Sequence, residues 1–424
     1  MPEEIGIIGF GISGIAACRW AIHYGFKPVV YEKNNSLGGV WLTHNYVNCR
    51  LQTTKYSYHF SDMEMLDDLD IYPKGQDVLE YIKTYVSKHN LEKYVQYNAN
   101  VQSLKKVDNA WEIIVDGNKF SYKYMIVSTG FYGTSINRLS NSLLPNDIIN
   151  PKETFRDKNV IVVGNGPSGC DMACLAVENM AEKVKLLYRT PRWIFSRFAG
   201  MFSLHFFTWR FFLTIAYYLP RPILRILLIL LYLIPIFWYG YKLQIEFPEE
   251  KVSRYNLVLN DLLYYYVNHN FIEMKREPVV SIEEKYVITT KDKYEYDIVV
   301  DATGYKSGIP LIGYYDKIPK LYRNILIPGD SSIAFIGYVA SFSWVQVSEL
   351  QCHWYYRHIL GKFGIPNQEK QQQTIGEIIG RDYHDYAYLV YFYINLLRKD
   401  MGLREFNNWF SLPSKVILEN ELLH

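Results

Sequence analysis

Two glycine-spaced turns of the same design constrain this chain more than any other feature of its sequence. Each turn follows an unbroken apolar run, at residues 5–8 and 160–163. Such a run is typical of a parallel strand that is buried on both faces. The turns share the spacing G-x-G-x-x-G, with glycines at Gly9, Gly11 and Gly14 and at Gly164, Gly166 and Gly169. Because a helical pattern follows each turn, the sequence predicts two strand–turn–helix units of the dinucleotide-binding type.

The first turn has the companion features that a dinucleotide site needs. Its first glycine permits a tight turn, its second lets backbone approach a pyrophosphate, and its third lets the helix pack on the strand. The helix that follows offers free N–H groups and the positive end of its dipole to the anion. A second predicted strand, KPVVYEK, ends at Glu32, whose carboxylate can accept hydrogen bonds from ribose hydroxyls. The alternative is a glycine-rich surface turn.

A further glycine pair, Gly38 and Gly39, follows Glu32, and Trp41 comes directly afterwards. The pair allows a second close approach of backbone to a ligand, and the indole offers a flat apolar surface. A plain NAD dehydrogenase has no reason to place a glycine pair there, whereas a longer, two-part cofactor does. We therefore expect FAD at the first turn.

The second turn differs at the end of its second strand. There KVKLLYR ends in Arg189 instead of an acid, with Arg192 close behind. A carboxylate repels the 2′-phosphate of NADPH, whereas a guanidinium binds that phosphate through paired hydrogen bonds. We expect NADPH at this turn. The alternative is that Arg189 is an ordinary solvated charge.

Two segments ending in Thr-Gly bracket the second turn, YMIVSTG at 124–130 and DIVVDATG at 297–304. The simplest arrangement is that the chain leaves the first domain after Gly130 and returns near Asp301. The predicted fold class is therefore α/β, with two nested doubly wound, Rossmann-like dinucleotide-binding domains and a hydrophobic helical insertion. The expected boundaries are 1–130 and 301–365 for the FAD-binding domain, 155–300 for the NADPH-binding domain with its insertion at 198–242, and 366–424 for a C-terminal helical region.

Composition argues against several other classes of protein. Lys and Arg number 45 against 43 Asp and Glu, so the surface as a whole is not built for nucleic acid. The five cysteines are sparse and odd in number, which suits a reducing compartment. They lack the adjacent pair that a disulfide reductase needs beside its flavin. We expect no metal, because no His/Cys cluster has the spacing of metal ligands. Glu3 and Glu4 lead directly into a strand, so we expect no signal peptide.

One stretch is both apolar and basic. Between Glu182 and Glu246 there are nine basic and no acidic residues, with nearly apolar runs at 211–220 and 226–241. The longer run is interrupted by Pro235 and falls short of the about 20 residues that a spanning helix needs. Its flanking arginines and terminal Trp and Tyr are typical of a hairpin dipping into an anionic membrane face. We expect a peripheral position on the cytoplasmic side of an intracellular membrane; the alternatives are a lid over the substrate channel and a dimer contact.

Together these motifs resemble the class B flavin-containing monooxygenases from residue 4 to about residue 360, with plant-like members closer than mammalian ones. The resemblance is carried by GFGISG, YEKNNSLGGVW, FSD, GNGPSGCD, YRTPRW, DATGY and FIGYVASFSWVQVSELQ. It implies that NADPH reduces FAD, that reduced flavin and O₂ form a C4a-hydroperoxide, and that one oxygen atom passes to a soft N- or S-nucleophile. It implies cofactor contacts at Gly9, Phe10, Gly11, Ile12, Ser13, Gly14, Glu32, Lys33, Gly39, Val40, Trp41, Leu51, Gln52, Val101, Thr129, Gly164, Asn165, Gly166, Ser168, Gly169, Asp171, Arg189, Thr303 and Gly304.

The chain departs from this family's pattern in two places. The family usually carries a Thr-Asn pair whose amide sits by the flavin and the nicotinamide, and here Leu51 and Gln52 take those places. Gln52 keeps an amide on a longer stem and is the candidate catalytic residue; the alternative is an ordinary polar residue at a strand end. The family's Phe-x-Gly-x-x-x-His fingerprint is not recognisable before the second turn. Baeyer–Villiger relatives, which also need that histidine, fit less well.

The leading hypothesis is a flavin-containing monooxygenase with N,N-dimethylaniline monooxygenase-like activity on a small N- or S-containing compound. A second hypothesis keeps both cofactors but releases H₂O₂, which makes the protein an NADPH oxidase. A third is a flavin-bound, membrane-associated scaffold with little turnover. The resemblance also places the helix VSELQCHWYYRHIL near the flavin, with Glu349 and Gln351 as candidates and His353 as an ordinary helix-surface residue.

Overall fold

The computed structural model describes residues 2–130, 132, 139–199, 202–203, 222–223, 226–227, 229–230, 257–305, 309–313, 319–339, 341, 343–379 and 390–405. Most of the predicted hydrophobic insertion at 198–242 lies outside these residues, as does the end of the predicted C-terminal region. Among the helices within the described ranges, none combines the length and the apolar character that crossing a bilayer requires.

The strands and helices are numbered in chain order within the described residues. The strands are β1 Glu4–Ile8, β2 Lys27–Tyr31, β3 Val95–Gln96, β4 Val101–Val107, β5 Ala110–Val115, β6 Asn118–Tyr122, β7 Tyr124–Val127, β8 Asn159–Val163, β9 Lys183–Tyr188, β10 Trp193–Phe195, β11 Phe198–Ala199, β12 Phe202–Ser203, β13 Leu257–Leu259, β14 Ile272–Arg276, β15 Val279–Ile282, β16 Tyr286–Thr289, β17 Lys293–Glu295, β18 Ile298–Asp301, β19 Leu326–Ile327 and β20 Asp330–Phe335. The helices are α1 Ile12–His23, α2 Val40–Thr43, α3 Gly75–Lys88, α4 Pro151–Phe155, α5 Pro167–Glu178, α6 Leu263–Asn268, α7 Trp344–Ile359, α8 Gln368–Ile379 and α9 Val390–Asp400.

Two parallel sheets repeat the same strand order. The first sheet runs β3-β2-β1-β7 and is extended by β20 and β19, and the second runs β14-β9-β8-β18. Every pairing in both sheets is parallel except that of β19 with β20. Parallel strands joined through helices define the α/β class, so the predicted class is confirmed. The segment ending in Asp301 belongs to the second sheet, and the chain rejoins the first sheet at β19 and β20.

A three-stranded antiparallel meander covers one face of each parallel sheet. Strands β4-β5-β6 lie between β3 and β7 in the chain, and β15-β16-β17 lie between β14 and β18. In the first sheet, Ile8 and Val127 pack against Trp111 and Ile113 of the meander. The second sheet repeats this arrangement, with Ile161 and Val163 packed with Val287. The duplicated unit is therefore a sheet with its own meander as well as a glycine turn.

Helices cover the opposite faces. Ile5 and Ile7 of β1 share a core with α1 and α7, and Val160 and Val162 of β8 share a core with α5. Alternate residues of β1 and β8 thus face a helix or a meander, which explains why both strands are apolar throughout. Full burial of one such side chain contributes about 1.5–3 kcal/mol to the free energy of unfolding. The apolar runs therefore fix both turns to rigid strand ends.

Candidate active site

The first and third glycines of each turn are required by the packing of backbone on backbone. Gly9 has φ +96° and Gly164 has φ +109°, in the region that favours glycine. A Cβ at either position would collide with a carbonyl oxygen beyond the neighbouring strand, that of Ser128 or Ala302 respectively. A Cβ at Gly14 would collide with the Gly9 carbonyl oxygen, as would one at Gly169 with that of Gly164. The two turns are therefore equivalent in geometry as well as in spacing.

The second glycine of each turn makes no such contact. Within 4 Å of a Cβ at Gly166 no described atom is found, and a Cβ at Gly11 would approach only Gly39, at 3.4 Å from its Cα. Gly11 and Gly166 precede α1 and α5, and no described side chain caps either helix. The first N–H groups of both helices thus point out of the turn, where an anion can accept their hydrogen bonds. The absence of a side chain at Gly11 and Gly166 is therefore not required by protein packing, and it leaves space in which a ligand can approach the backbone.

The Gly38-Gly39 segment brings a second stretch of backbone to the first turn. Gly38 and Gly39 have φ +125° and +57°. Gly39 precedes the short helix α2, where Val40 and Trp41 are half-buried and the Trp41 Nε1–H donates to the Tyr58 hydroxyl over 2.7 Å. The close approach of Gly39 to Gly11 is what a two-part cofactor would require of this segment. The residues present therefore fit FAD.

Glu32 is the most tightly held polar group of the first turn. Its side chain is buried, with Oε2 accepting from the Phe10 backbone N–H at 2.7 Å. Its Oε1 accepts from the backbone N–H and the side-chain amide of Asn34, at 2.8 and 2.7 Å. These bonds fix the carboxylate beside the turn, at the end of β2, with the Lys33 side chain exposed next to it.

Other residues with predicted FAD contacts are placed mainly by packing. The side chains of Phe10, Ile12, Leu51 and Val101 are buried in apolar cores. Ser13 Oγ lies 3.1 Å from Ser348 Oγ on α7, and the Thr129 hydroxyl lies 2.7 Å from that of Tyr338. Because the side chains of Phe10 and Ile12 are buried, these two residues can contact a ligand only through their backbone.

The strand register refines the comparison between the two turns. The Gly9 N–H donates to the Tyr31 carbonyl, and the Gly164 N–H donates to the Leu187 carbonyl, each at 2.8 Å. The residue equivalent to Glu32 is therefore Tyr188, and Arg189 is equivalent to Lys33. The second turn thus lacks the acid at the matching position and carries an exposed arginine one residue later, with no described carboxylate paired to it.

Asn165 and Asp171 of the second turn are engaged with neighbouring protein groups. The buried Asn165 amide donates to the Thr190 carbonyl at 3.1 Å, which holds the Arg189–Thr190 segment against the turn. The Asp171 carboxylate accepts from the Tyr46 hydroxyl and from the Asn260 amide, both at 2.8 Å. Burial raises the pKa of Asp171, and Arg197 opposes that shift. Ser168 lies half-buried in the first turn of α5.

The Thr-Gly segment after β18 is braced by its own strand. Asp301 accepts at Oδ1 from the Thr303 hydroxyl at 2.6 Å and from the Thr303 backbone N–H at 3.0 Å. Gly304 follows with φ +107°, matching Gly130 at φ +86° in the first unit. The two Thr-Gly segments therefore make equivalent bends at the carboxyl edge of their sheets.

Gln52 pairs with backbone in the described structure. Its Oε1 accepts from the Leu259 N–H at 2.9 Å, and its Nε2 donates to the Leu259 carbonyl at 3.5 Å. The predicted contact of Gln52 with the flavin and nicotinamide stays a prediction.

Sequence reasoning missed several buried polar groups around the first unit. Within the described residues, Thr53 Oγ1, Ser343 Oγ and Gln346 Oε1 are buried without a hydrogen-bond partner. Ser343 precedes α7, and the Gln346 amide donates from Nε2 to the His59 carbonyl at 2.7 Å. Buried polar atoms without a partner are costly, so each of these atoms is a candidate for a hydrogen bond to a bound group.

The two candidates on α7 are buried and hydrogen-bonded to neighbouring protein groups. Glu349 accepts from Trp20 Nε1–H at 3.2 Å and from the N–H and hydroxyl of Ser61 at 2.9 and 3.0 Å, and burial raises its pKa to about 8. Gln351 joins the Gly337 N–H to the Tyr393 hydroxyl. The expectation that His353 lies on the helix surface is wrong. It is fully buried beside Trp20, and burial lowers its pKa to about 3.

Comparison with known proteins decides which family has this geometry. The family model described as flavin-binding monooxygenase-like matches residues 2–400. The chain belongs to that family. The predicted resemblance is confirmed, the protein is an NADPH-dependent flavin monooxygenase, and the cofactors of the family are FAD and NADPH.

Relatives of this flavin-binding monooxygenase-like chain occur in plants and animals. A flavin-containing monooxygenase of Arabidopsis thaliana is 25% identical over 429 residues, covering 87% of this chain and 88% of the relative. Flavin-containing monooxygenase 1 of Homo sapiens is 26% identical over 407 residues, covering 86% of this chain and 75% of the relative. Their names confirm the predicted enzyme class.

Solved structures show the same fold for this family member. A steroid monooxygenase bound to NADP matches with a TM-score of 0.73 and 16% identity, covering 95% of this chain and 98% of the other. The enzyme OTEMO in complex with FAD and NADP matches with a TM-score of 0.71 and 17% identity, covering 91% and 92%.

Proposed function

We propose that this monooxygenase transfers one oxygen atom from O₂ to the lone pair of nitrogen or sulfur in a small compound. NADPH supplies a hydride, O₂ is split, one oxygen atom forms the new N–O or S–O bond, and the other leaves as water with two protons. Bound FAD supplies the redox chemistry between NADPH and O₂. The observation that carries the proposal is the pair of equivalent turns, of which the first has the acid Glu32 after its second strand, whereas the second has Tyr188 at that position and Arg189 one residue later.

The protein's part in this proposal is to bind and orient. Gly9, Gly11, Gly14 and the Gly38-Gly39 segment would hold FAD at the first turn, with Glu32 toward its ribose. Gly164, Gly166 and Gly169 would hold NADPH at the second turn, with Arg189 toward the 2′-phosphate. Within each unit, backbone N–H groups at the helix start would meet the pyrophosphate.

The nested domain division belongs to this proposal. It assigns residues 1–130 and 301–365 to FAD, 155–300 to NADPH, and 366–424 to a C-terminal region. Support comes from the strand pairing, since β20 returns to the first sheet only after the four-stranded second sheet is complete.

Rapid mixing tests the reaction. The purified protein is reduced anaerobically with NADPH and then mixed with oxygenated buffer while the flavin absorbance is followed. We expect oxidised flavin to return slowly, and faster when an amine or a sulfide is added, with matching loss of H₂O₂. Return at one rate regardless of amine or sulfide, with one H₂O₂ per NADPH, would instead establish an NADPH oxidase. The pairing of Gln52 with Leu259 favours that second candidate, because both polar atoms of the amide are already engaged with protein backbone. A scaffold without turnover is not retained, because the family is one of enzymes.

We further propose that part of the basic, apolar stretch binds an anionic membrane surface. Residues 222–223, 226–227 and 229–230 are helical, and Ile229 packs on the second core. The side chains of Ile223, Ile226, Leu227 and Leu230 are 41–56% exposed. Their sequence spacing of i, i+3, i+4 and i+7 is the apolar pattern typical of an interfacial helix.

Vesicle sedimentation checks this membrane proposal. The double variant Leu227→Asp, Leu230→Asp is expected to stay in the supernatant with vesicles rich in phosphatidylserine, whereas the native protein pellets. Because both side chains are exposed, the fold should not change. The control variant Ile149→Asp changes a side chain that is 85% exposed elsewhere and should pellet like the native protein. Native protein that remains in the supernatant at every lipid concentration would contradict the proposal and favour the lid or the dimer contact.

A further inference from the structure

A segment between α2 and α3 ties the two units together. Residues 44–74, here called the strap, follow the glycine pair of the first unit. The strap is anchored in the first unit at Phe60, whose ring stacks on Tyr85 at 3.7 Å, and at Ser61, which binds Glu349. Its side chains Tyr46 and Tyr72, however, are buried in the core of the second unit.

The strap is internally braced. The Leu51 N–H donates to the Pro73 carbonyl and the Lys55 N–H donates to the Ile71 carbonyl, each at 2.9 Å, so the two arms run side by side. Lys55 is buried, and its Nζ donates to three strap carbonyls, those of Leu66, Asp67 and Leu69, at 2.7–3.1 Å. Because these hydrogen bonds join the two arms of the strap, we expect the strap to behave as a rigid body that couples its two ends.

Three side chains of the strap reach across to the second unit. Gln52 pairs through both amide atoms with the backbone of Leu259 in β13. The Tyr46 hydroxyl donates to Asp171 on α5 at 2.8 Å, and the Tyr72 hydroxyl donates to the Arg197 carbonyl at 3.3 Å.

These contacts continue into the second unit. Asp171 also accepts from the Asn260 amide, and Asn260 Oδ1 in turn accepts from the N–H groups of Leu262 and Leu263 at the start of α6. Helix α5, which follows the second glycine turn, is therefore connected to the strap through the Tyr46–Asp171 hydrogen bond. Asp171 is in turn hydrogen-bonded to Asn260.

We propose that the strap is a latch that fixes the second glycine turn relative to the first, with Gln52 and Tyr46 as its positioning residues. The inference rests on the proposed function, because its consequence is the alignment of NADPH with FAD. Hydride transfer needs donor and acceptor about 3–3.5 Å apart, and a shift of about 1 Å can slow a reaction about 100-fold. The latch acts on orientation and not on affinity, since neither residue belongs to a glycine turn.

Kinetics of flavin reduction test the latch in the holoenzyme. Gln52→Leu removes both bonds to Leu259 at similar volume, and Tyr46→Phe removes a single oxygen. In both variants the limiting rate of anaerobic reduction by NADPH is expected to fall about tenfold or more, with the apparent NADPH Kd within about twofold. FAD content and reduction by dithionite should not change. Gln76→Leu makes the same change at an exposed glutamine of α3, whose amide donates to Glu80 outside the strap, and should leave all of these values unchanged.

Two outcomes would overturn the latch. The first is a limiting rate of flavin reduction that is unchanged in both variants. The second is a rate that falls in Gln52→Leu but not in Tyr46→Phe, because that result would indicate that Gln52 contacts the nucleotides directly. A variant that merely weakened the fold would instead lose FAD.

Hydrogen exchange separates the latch from the proposed function. The Leu259 amide, bonded to Gln52, is expected to exchange about tenfold faster in Gln52→Leu than in the native protein or Gln76→Leu. Unchanged exchange overturns the latch. If NADPH fails to reduce the native flavin, the proposed function fails, and this exchange measurement alone still supports or overturns the latch.

Discussion

Replacing Gly166 with valine is expected to abolish productive NADPH binding while the protein keeps its FAD. Gly166 has φ −72° and ψ −178°, which a valine can adopt, and no described atom lies within 4 Å of its Cβ position. The fold should therefore accept the side chain, whereas a pyrophosphate that must approach the backbone there should not. Overpacking of about 3 kcal/mol corresponds to about 100-fold weaker binding. The measurement is the NADPH concentration that half-saturates anaerobic flavin reduction.

The bound flavin serves as the control in the same sample. Its absorbance and its stoichiometry to protein should equal those of the native enzyme, because the first turn is untouched. Gly169→Val is the contrasting variant, since its Cβ would collide with the Gly164 carbonyl oxygen, and it should lose folded protein altogether. A Gly166→Val enzyme that is reduced at native NADPH concentrations would show that the second turn is not the NADPH site.

Replacing Arg189 with alanine is expected to remove the preference for NADPH over NADH. The exposed guanidinium follows β9, and the bond from Asn165 to the Thr190 carbonyl holds its segment at the turn. Loss of charge-assisted hydrogen bonds costs about 1.5–3 kcal/mol, so the preference should fall about 10- to 150-fold. NADH lacks the 2′-phosphate, so its affinity should change little. The ratio of kcat/KM for the two nucleotides is the quantity to measure.

Lys33→Ala is the matched control for this experiment. Lys33 occupies the equivalent position in the first unit, by the register of the strands, and its side chain is also exposed. The nucleotide preference should be native in that variant. A preference unchanged in Arg189→Ala would remove the basis for assigning the 2′-phosphate to this arginine.

The two turns were predictable because their determinants are local. An apolar strand, three glycines and a helix lie within about 20 residues in each unit, and the first and third glycines are required by the packing of their own turn. The position of Arg189 was predictable only to within one residue. Its exact equivalence to Lys33 depends on the pairing of β8 with β9, which the sequence does not specify.

The hydrogen bonds between the two units could not be predicted from the sequence. Tyr46 and Asp171 are 125 residues apart, and Gln52 and Leu259 are 207 residues apart. No periodicity connects such pairs. The burial of Lys55 and His353 was equally hidden, because their residue types are usually exposed. The strap carbonyls that bind Lys55 and the Trp20 ring beside His353 form no sequence pattern with them. The meanders were missed because short, half-polar strands resemble ordinary loops in sequence.

The strand order of the two sheets has a consequence for synthesis of the chain. The second sheet has all four of its strands once residue 301 has emerged, whereas β7 of the first sheet waits for β20 at residues 330–335. Until then one edge of the first sheet exposes unpaired N–H and carbonyl groups, a template for association with other chains. The second unit, which starts later in the chain, therefore completes its sheet before the first unit does. After residue 301, about 30 further residues must be translated before β20 can cover the open edge of the first sheet.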